Sequence, residues 1–266
     1  MEIAGYIASA LIGICLGLIG GGGSILTLPV LMYLFGIAPT QATGYSLFVV
    51  GATAALGSVL YARQGLIHFR TALLFAPPAF LGVYLVRRFA VPALPENLFS
   101  IGAFDVSRDR GIVVLFALLM LGTAYSMIRS KDDAPAAPGD RDRYPYAKIA
   151  AEGLLVGGLT GLVGAGGGFL IVPALVILAK LPMKLAIGTS LVIIAVKSLV
   201  GFLGDVQTAG GAMQWRLLLT VTAVALVGLV AGTVLAKRVP GAKLKPAFGV
   251  FVLAMAVYML GAEFMG

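Results

Sequence analysis

The sequence predicts an all-α protein that crosses a membrane several times and consists of two homologous halves. Of its 266 residues, 60% are hydrophobic and only 11% are charged, whereas soluble domains carry about 25% charged residues. Several uncharged runs approach or reach the roughly 20 residues that a helix needs to cross a bilayer. These runs do not alternate apolar and polar residues as the strands of an outer-membrane barrel do. A glycine-rich block that occurs twice indicates the duplication.

The repeated block reads GLIGGGGSILTLP at residues 17–29 and GLVGAGGGFLIVP at residues 161–173. Seven of the thirteen positions are identical, and the offset is 144 residues. The same offset relates ATGYS at residues 42–46 to AIGTS at residues 186–190. The similarity therefore extends beyond the block, and each half should contain the same series of helices.

The first predicted segment, residues 3–36, is apolar but is interrupted by the glycines at 20–23. As one helix it would be ~50 Å long, which exceeds a hydrocarbon core of ~30 Å. Each glycine costs roughly 1 kcal/mol relative to alanine inside a helix, so four in succession favour a break. The segment should either tilt and unwind or fold back as a re-entrant hairpin of two half-helices. Three transmembrane helices then follow, with a loop before the last, at 40–62, about 71–86 and 111–128.

The second half repeats this series after a polar linker. Residues 129–146 are a polar stretch of Arg, Lys, Asp, Pro and Gly, a composition typical of a connecting segment. We therefore divide the chain into a first half at 1–128, a linker at 129–146 and a second half at 147–266. The second half is predicted to contain a broken segment at 149–180 and three helices at 184–204, 214–236 and 246–263.

The distribution of lysine and arginine favours inverted over parallel repeats. If each broken segment returns to its own side of the membrane, the basic residues other than Lys197 divide 13 to 5 between the two sides. If each broken segment crosses the membrane, they divide 8 to 10. Cytoplasmic loops normally carry the excess of basic residues. The inverted arrangement therefore predicts a cytoplasmic linker and two external termini.

The two glycine breaks are the first candidate binding site. A helix that breaks inside the membrane exposes backbone N–H groups that need a partner, and a helix that restarts there directs its positive dipole end at the same place. Helices restarting at Ser24 and Gly168 would let an anion satisfy both. Close helix packing alone, indicated by GxxxG spacings in the same segments, is the structural alternative. The candidate N–H donors belong to Gly21, Gly22, Gly23 and Ser24 in the first break and to Gly166, Gly167 and Gly168 in the second.

Lys197 is the second candidate, because it lies near the middle of an apolar run. A charge at that depth costs at least ~2.5–3.5 kcal/mol, so it should face a polar cavity or a ligand. The alternatives are that its side chain snorkels to the interface or pairs with Asp205. The corresponding residue of the first half is Thr53, so the positive charge is not duplicated. Asp205 is the candidate coupling residue, and the candidate hydroxyl ligands, each of which could instead be a helix cap, are Ser46, Thr189 and Ser190.

Composition disfavours several other functional classes. One cysteine and one histidine offer neither a disulfide framework nor a cluster of metal ligands, so we predict no metal and no cofactor. The net charge of +8 is dispersed at the ends of apolar runs, which fits membrane anchoring rather than nucleic-acid binding. The glycine blocks lack the Gly-Lys-Ser/Thr of a phosphate loop. Since no set of nucleophile, base and metal can be assembled, we expect no enzyme.

The paired glycine blocks, the AIGTS element and the KSLVG element at 197–201 resemble the TauE/SafE sulfite-exporter family of membrane transporters over essentially the whole chain. One departure is GYS at 44–46, where the second half has GTS. The resemblance implies a secondary transporter in the cytoplasmic (inner) membrane of a prokaryote. Its implied substrate is a small sulfur-containing anion such as sulfite, thiosulfate or a sulfonate like sulfoacetate.

The expected mechanism is alternating access of the two halves around a site near the bilayer midplane. An anion channel or facilitator and a membrane scaffold without transport activity are the alternatives. The expected partners are the lipid bilayer and the small anion. The sequence leaves open the direction of transport, the coupling ion and whether the chain forms a homo-oligomer.

Overall fold

The computed structural model describes residues 2–21, 23–37, 39–90, 97–101, 104–129, 146–163, 170–208 and 213–265, together with the single residues 93, 95 and 168. The linker predicted at 129–146 therefore lies almost entirely outside the described residues.

Helices occupy each of the predicted apolar segments. Those of the first repeat are α1 (Glu2–Ile19), α2 (Gly23–Pro29), α3 (Pro39–Ala62), α4 (Phe69–Leu85) and α5 (Arg108–Arg129). π-Helical turns at Val30–Leu34 and Val86–Ala90 extend α2 and α4. Those of the second repeat are α6 (Tyr146–Val163), α7 (Ile171–Ile177), α8 (Met183–Thr208), α9 (Trp215–Arg238) and α10 (Gly241–Met265).

The lengths and composition of these helices are those of a multi-pass membrane protein. Large apolar side chains such as Leu73, Val227 and Tyr258 lie exposed on the helix surfaces, which suits contact with lipid rather than water. Within the described ranges, four spans are long and apolar enough to cross a bilayer, at Gln41–Ala62, Met183–Leu203, Trp215–Arg238 and Gly241–Tyr258. Shorter apolar helices lie at Ile3–Ile19, Gly23–Leu34, Phe69–Leu85 and Ala117–Arg129.

One connection contains strands that the all-α prediction did not include. Residues Asn97–Ile101 and Phe104–Ser107 form the antiparallel strands β1 and β2 between α4 and α5. Both strands contain aromatic or β-branched residues, which favour a pleated pair. The sequence predicts only a loop here, because the strands are short and follow two closely spaced prolines.

The first segment folds back at the glycine break instead of continuing as a tilted helix. A Cβ atom added at Gly23 would lie 2.5 Å from Cγ of Leu16, in the last turn of α1. Beyond α2, the ring of Phe35 packs edge-on against Tyr6, near the start of α1, at a centroid distance of 5.3 Å. The chain thus approaches the start of α1 as it leaves the break. α2 and its π-helical extension therefore run antiparallel to α1.

The first helix of each repeat packs against the third long helix of the other repeat through glycines. In the α1–α9 pair, a Cβ atom at Gly13 would lie 2.0 Å from the carbonyl oxygen of Ala225. In the α4–α6 pair, a Cβ atom at Gly157 would lie 2.0 Å from the carbonyl oxygen of Ala79. Gly13 and Gly157 occupy the same position of the repeat. The two backbones are therefore in direct contact in both pairs, through the same contact made twice.

Neighbouring contacts fix the direction of these two pairs. Gly17, one turn further along α1, contacts the backbone of Leu229, one turn further along α9. Gly153 and Phe75 make the corresponding contact one turn earlier on α6 and α4. Both pairs therefore run parallel. The glycine spacing on these faces serves close helix packing, which is the alternative interpretation of the glycines before each break.

The central pair, α3 and α8, runs antiparallel. Near the start of α3, Leu47 lies 3.2 Å from a Cβ atom placed at Gly201, near the end of α8. Near the end of α3, a Cβ atom at Gly57 would lie 3.1 Å from Leu191, near the start of α8. The two leucines are equivalent in the repeat, and so are the two glycines. Equal contacts between equivalent residues are expected when a two-fold rotation relates the repeats.

Candidate functional site

The first break lies between Gly20 and Gly23. Gly20 adopts a left-handed backbone conformation with a φ of +74°, which glycine allows without steric cost. Just before it, the Tyr61 hydroxyl on α3 donates to the carbonyl oxygen of Gly17 at 2.8 Å, which satisfies one of the carbonyls that a helix end leaves open. α2 begins at Gly23, one residue before the predicted restart. Gly22 lies outside the described residues.

The donors of Ser24 are engaged within this break. Its backbone N–H donates to the carbonyl oxygen of Gly21 at 3.2 Å, and its hydroxyl donates to the same oxygen at 2.7 Å. Both groups are predicted ligands of an anion. In this conformation either group would have to exchange its present hydrogen bond for one to the ligand.

The second break differs from the first in local structure. Gly168 and Leu170 lie in 3₁₀ turns, and α7 begins at Ile171, three residues after the predicted restart at Gly168. Gly166 and Gly167 lie outside the described residues. Since α7 has only seven residues, it sums fewer peptide dipoles than a long helix does. The helix-dipole argument therefore applies better to α2 with its π-helical extension.

The two breaks meet at equivalent positions of the repeat. A Cβ atom added at Gly168 would lie 3.2 Å from the hydroxyl oxygen of Ser24. These residues are related by the 144-residue offset, so the contact joins matching positions of the two repeats. A Cβ atom at Gly20 would lie 2.8 Å from the hydroxyl oxygen of Ser190 on α8. Both breaks are thus brought together beside α8.

One face of α8 carries two of the polar candidates. Ser190, Ile194 and Lys197 are spaced by four and three residues, which places them on the same side of the helix. Ser190 lies beside Gly20, and Ile194 lies 3.5 Å from a Cβ atom added at Gly168. Ser190 is buried and donates to a carbonyl oxygen of its preceding turn at 2.8 Å. Lys197, one turn beyond Ile194, is half-buried.

The counterpart of Lys197 in the first repeat lies at the same level of the bundle. Gly51 on α3 packs against Leu199 on α8, with 2.9 Å between an added Cβ atom and Cγ. Since the helices are antiparallel, two residues forward from Gly51 and two back from Leu199 lead to Thr53 and Lys197. Thr53 is fully buried, and its hydroxyl donates to the carbonyl oxygen of Val49 at 2.6 Å. The α3–α8 pair therefore carries one positive charge at this level instead of a symmetric pair.

Thr189 takes part in one of two matching hydrogen bonds between the repeats. Its hydroxyl oxygen accepts from the backbone N–H of His68, the N-cap residue of α4, at 3.0 Å. In the other repeat, the hydroxyl oxygen of Tyr45 accepts from the backbone N–H of Gln214, the N-cap residue of α9. Tyr45 and Thr189 are equivalent in the repeat, and both are buried. Thr189 is a ligand predicted from the sequence and Tyr45 is not, although the 144-residue offset pairs them.

The remaining candidates lie on the same two central helices. Ser46 follows Tyr45 on α3 and is buried. Asp205 lies in the last turn of α8, at the repeat position of Tyr61, and its side chain is outside the described part of the structure. Among the residues that the structure describes, no group of three or more His, Cys, Asp or Glu side chains could hold a metal ion.

The similarity to known proteins extends over both repeats and both breaks. The model of the family described as "Sulfite exporter TauE/SafE" matches residues 6–259. A "Probable membrane transporter protein" of Xylella fastidiosa (strain 9a5c) is 34% identical over 261 residues, which cover 95% of this chain and 92% of the relative. The "Probable membrane transporter protein YunE" of Bacillus subtilis (strain 168) is 30% identical over 202 residues, covering 69% of this chain and 70% of the relative. The chain therefore belongs to the sulfite exporter TauE/SafE family of membrane transporters.

Proposed function

We propose that this protein is a secondary transporter of a small sulfur-containing anion, such as sulfite, thiosulfate or an organosulfonate like sulfoacetate, in the cytoplasmic membrane of a prokaryote. The observation that carries the proposal is the meeting of the two glycine breaks at Ser24 and Gly168, beside a helix with a lysine near its middle. In transporters built from repeats, substrates bind where broken helices of the two repeats converge. The name of the family supports the sulfur chemistry.

The proposed site combines one positive charge with several short-range donors. Sulfite, thiosulfate and sulfonates share a compact group of negatively charged oxygens on sulfur. Lys197 supplies the counter-charge, and backbone N–H groups of the breaks supply donors that only glycine lets an oxyanion approach closely. The hydroxyls are those of Ser24, Ser46, Thr189 and Ser190. Hydroxyls that now donate to carbonyl oxygens would turn to the anion, because a charge-assisted hydrogen bond is roughly twice as strong as a neutral one.

The repeats are proposed to be inverted in the membrane. Two equivalent spanning helices related by an axis along the membrane normal would run parallel. An axis in the membrane plane makes them antiparallel, and the contacts of Leu47 with Gly201 and of Gly57 with Leu191 support this second arrangement. Each re-entrant segment then returns to its own side. The distribution of basic residues assigns the linker to the cytoplasm and both termini to the outside.

The two matching hydrogen bonds between the repeats are proposed to close the site on opposite sides. The Thr189–His68 bond lies at the end of the bundle assigned to the cytoplasm, and the Tyr45–Gln214 bond lies at the other end. Both bonds are formed in this structure, as expected of an occluded state. Alternating access would break one bond and retain the other. This assigns Tyr45 and Thr189 the role of closures in addition to any contact with the anion.

Removing the Tyr45 closure and removing the Thr189 closure should shift the conformational equilibrium in opposite directions. A Tyr45→Phe variant loses the acceptor for Gln214, and a Thr189→Val variant loses the acceptor for His68. One buried hydrogen bond contributes about 1 kcal/mol, which corresponds to roughly a fivefold change in the ratio of outward- to inward-open states. Transport assays in right-side-out and inside-out vesicles should therefore show opposite changes in apparent KM for the two variants. Identical changes would contradict separate closures.

Anion binding to purified protein tests the proposed function most directly. Sulfite, thiosulfate or sulfoacetate should raise the melting temperature more than sulfate does, because a ligand of the folded state stabilises it. A Lys197→Met variant should bind that anion roughly 10- to 100-fold more weakly, as expected for loss of a hydrogen bond to a charged group. The difference should shrink at high salt. Lys184→Met, in the first turn of the same helix, is the control and should bind as wild type does.

Flux through proteoliposomes then separates the functional classes. A secondary transporter should exchange labelled anion for unlabelled anion across the membrane, whereas a channel or facilitator gives flux without stimulation by anion on the far side. A scaffold gives no flux. Unchanged affinity of the Lys197→Met variant would remove Lys197 from the site, and no flux of any tested anion would overturn the proposed function.

A further inference from the structure

Glu152 is a buried carboxylate that the proposed transport site does not use. It lies on α6 with 8% of its surface exposed. In the part of the chain that the structure describes, neither of its carboxylate oxygens has a hydrogen-bond partner. An ionised carboxylate without such partners is far more expensive to bury than the neutral acid. The site therefore favours a bound proton.

We propose that Glu152 is a proton-binding site and that the proton controls how α6 packs against α4, which makes transport proton-dependent. The control of transport rests on the proposed function, whereas the proton site itself does not. Protonation converts the carboxylate to the neutral acid by taking one proton from water at the cytoplasmic end of the bundle, and release returns that proton.

The position of Glu152 gives a short path for the proton. Lys148 is exposed one turn earlier on α6, so Glu152 lies about 6 Å deeper along the helix axis. Lys148 attracts the ionised form of Glu152 but does not supply a hydrogen bond to it. The other charged or titratable residues on the elements that pack against α6 are Arg70 and Tyr84 on α4, Arg87 and Arg88 in the π-helical turn, and Arg108, Asp109, Arg110, Tyr125 and Arg129 on α5.

A proton suits this site better than a metal ion does. Calcium requires six to eight oxygen ligands, and magnesium requires an octahedral set. Among the described residues, no cluster of three or more His, Cys, Asp or Glu side chains exists, and Glu152 alone supplies two oxygens. A proton needs only one of them. The proposed ligand is therefore the proton rather than a metal cation.

The neighbouring glycine explains how a proton bound at Glu152 would affect the transport site. Gly153 follows Glu152 directly, and a Cβ atom added there would lie 2.5 Å from the carbonyl oxygen of Phe75 on α4. The two backbones touch at this point, so a charged and hydrated carboxylate beside the contact disfavours the closed interface. The neutral acid favours it. α6 leads directly into the second glycine break. His68, the N-cap residue of α4, donates the hydrogen bond to Thr189 that forms one of the two closures.

The carboxylate is present in one repeat and absent from the equivalent position of the other. The residue of the first repeat that corresponds to Glu152 is Ala8 on α1. The equivalent interface between α1 and α9 therefore has no carboxylate at this position. Only one of two otherwise matching interfaces would respond to protons, so acid on the cytoplasmic side would bias the conformational equilibrium in one direction.

Thermal unfolding at several pH values tests the proton site without reference to transport. Glu152→Gln has a similar shape and is neutral at every pH. At pH 8 this variant should melt several degrees above wild type, because folding of wild type then requires either burial of the charge or uptake of a proton that the unfolded chain has released. As the pH falls to 5, uptake of the proton costs less and the difference should shrink towards zero. A Glu263→Gln variant, near the end of α10, is the control and should follow wild type at both pH values. A Glu152→Gln melting difference that does not change with pH would overturn the proton site.

Transport by the same variants tests whether the proton controls transport. Wild type and Glu152→Gln should exchange labelled for unlabelled anion at similar rates when the cytoplasmic side is at pH 5, because Glu152 then carries the proton. At pH 8 on that side the two rates should differ several-fold, because only wild type loses the proton. Equal rates for wild type and Glu152→Gln at both pH values would overturn the control of transport. If no anion is transported by wild type, the proposed function fails, and the melting experiment still decides whether Glu152 binds a proton.

Discussion

A Gly157→Ala variant should melt roughly 6–12 °C below wild type, although it adds a single methyl group. The new Cβ atom would lie 2.0 Å from the carbonyl oxygen of Ala79 and 2.6 Å from its Cα and carbonyl carbon. These are backbone atoms, so no side-chain rotation can relieve the overlap. Overpacking of this kind costs about 3 kcal/mol, and each kcal/mol shifts the melting temperature of a protein of this size by roughly 2–4 °C.

A matched control is available on α5. Gly122 has no atom within 4 Å of an added Cβ atom, so Gly122→Ala should be neutral or stabilise the helix by up to about 1 kcal/mol. Gly13→Ala should repeat the loss seen for Gly157→Ala, since its Cβ atom would meet Ala225 at the same 2.0 Å. Melting of the detergent-solubilised variants gives the comparison. Similar melting temperatures for Gly157→Ala and Gly122→Ala would show that α4 and α6 are not in backbone contact.

A Gly20→Ala variant should lose nearly all transport. Its Cβ atom would lie 2.8 Å from the Ser190 hydroxyl oxygen and 3.2 Å from Val172, so either the Ser190 hydroxyl turns away from the first break or the break moves away from α8. Each change displaces a group of the proposed site. Movement of about 1 Å at a binding site can reduce the rate roughly 100-fold. Initial rates of uptake into proteoliposomes and binding of the same anion measure this loss.

A Gly36→Ala control separates the effect of the contact between the first break and α8 from the effect of backbone strain. Gly36 has a φ of +67°, close to the +74° of Gly20, but has no atom within 4 Å of an added Cβ atom. Alanine at either position therefore meets a similar left-handed strain of roughly 1–2 kcal/mol. Gly36→Ala should lose a similar amount of stability and keep transport. Equal transport by both variants would mean that the contact between the first break and α8 has no part in the anion pathway.

The sequence predicts the helices and their interruptions well, because both depend on local chemistry. Hydropathy determines which segments are long and apolar enough to span a bilayer, and four successive glycines disfavour a continuous helix. The break before α2 lies inside the predicted cluster. The restart of α7 at Ile171 is later than predicted, because a 3₁₀ turn at Gly168 precedes it.

Local chemistry does not determine which helices pack against each other. The sequence shows that Gly13 and Gly157 are equivalent, but only the structure shows that each contacts the opposite repeat. Tyr45 is the clearest omission, since it differs in type from its equivalent Thr189 while making the same hydrogen bond. A tyrosine and a threonine hydroxyl can accept from the same kind of backbone N–H. Tyr45 and Thr189 pair if residues 144 positions apart are compared by the hydrogen bonds they can make rather than by residue type.

The packing of the first helix of each repeat against the other repeat has a consequence for biosynthesis. α1 is made first, but its partner α9 begins about 200 residues later. At roughly 5–20 residues per second, α1 would wait about 10–40 s in the membrane with its glycine face turned to lipid or to a temporary partner. α4 likewise waits for α6. Neither repeat can complete its packing alone, so assembly is a late event that requires nearly the whole chain. Fragments of the two repeats should accumulate only when they are produced together.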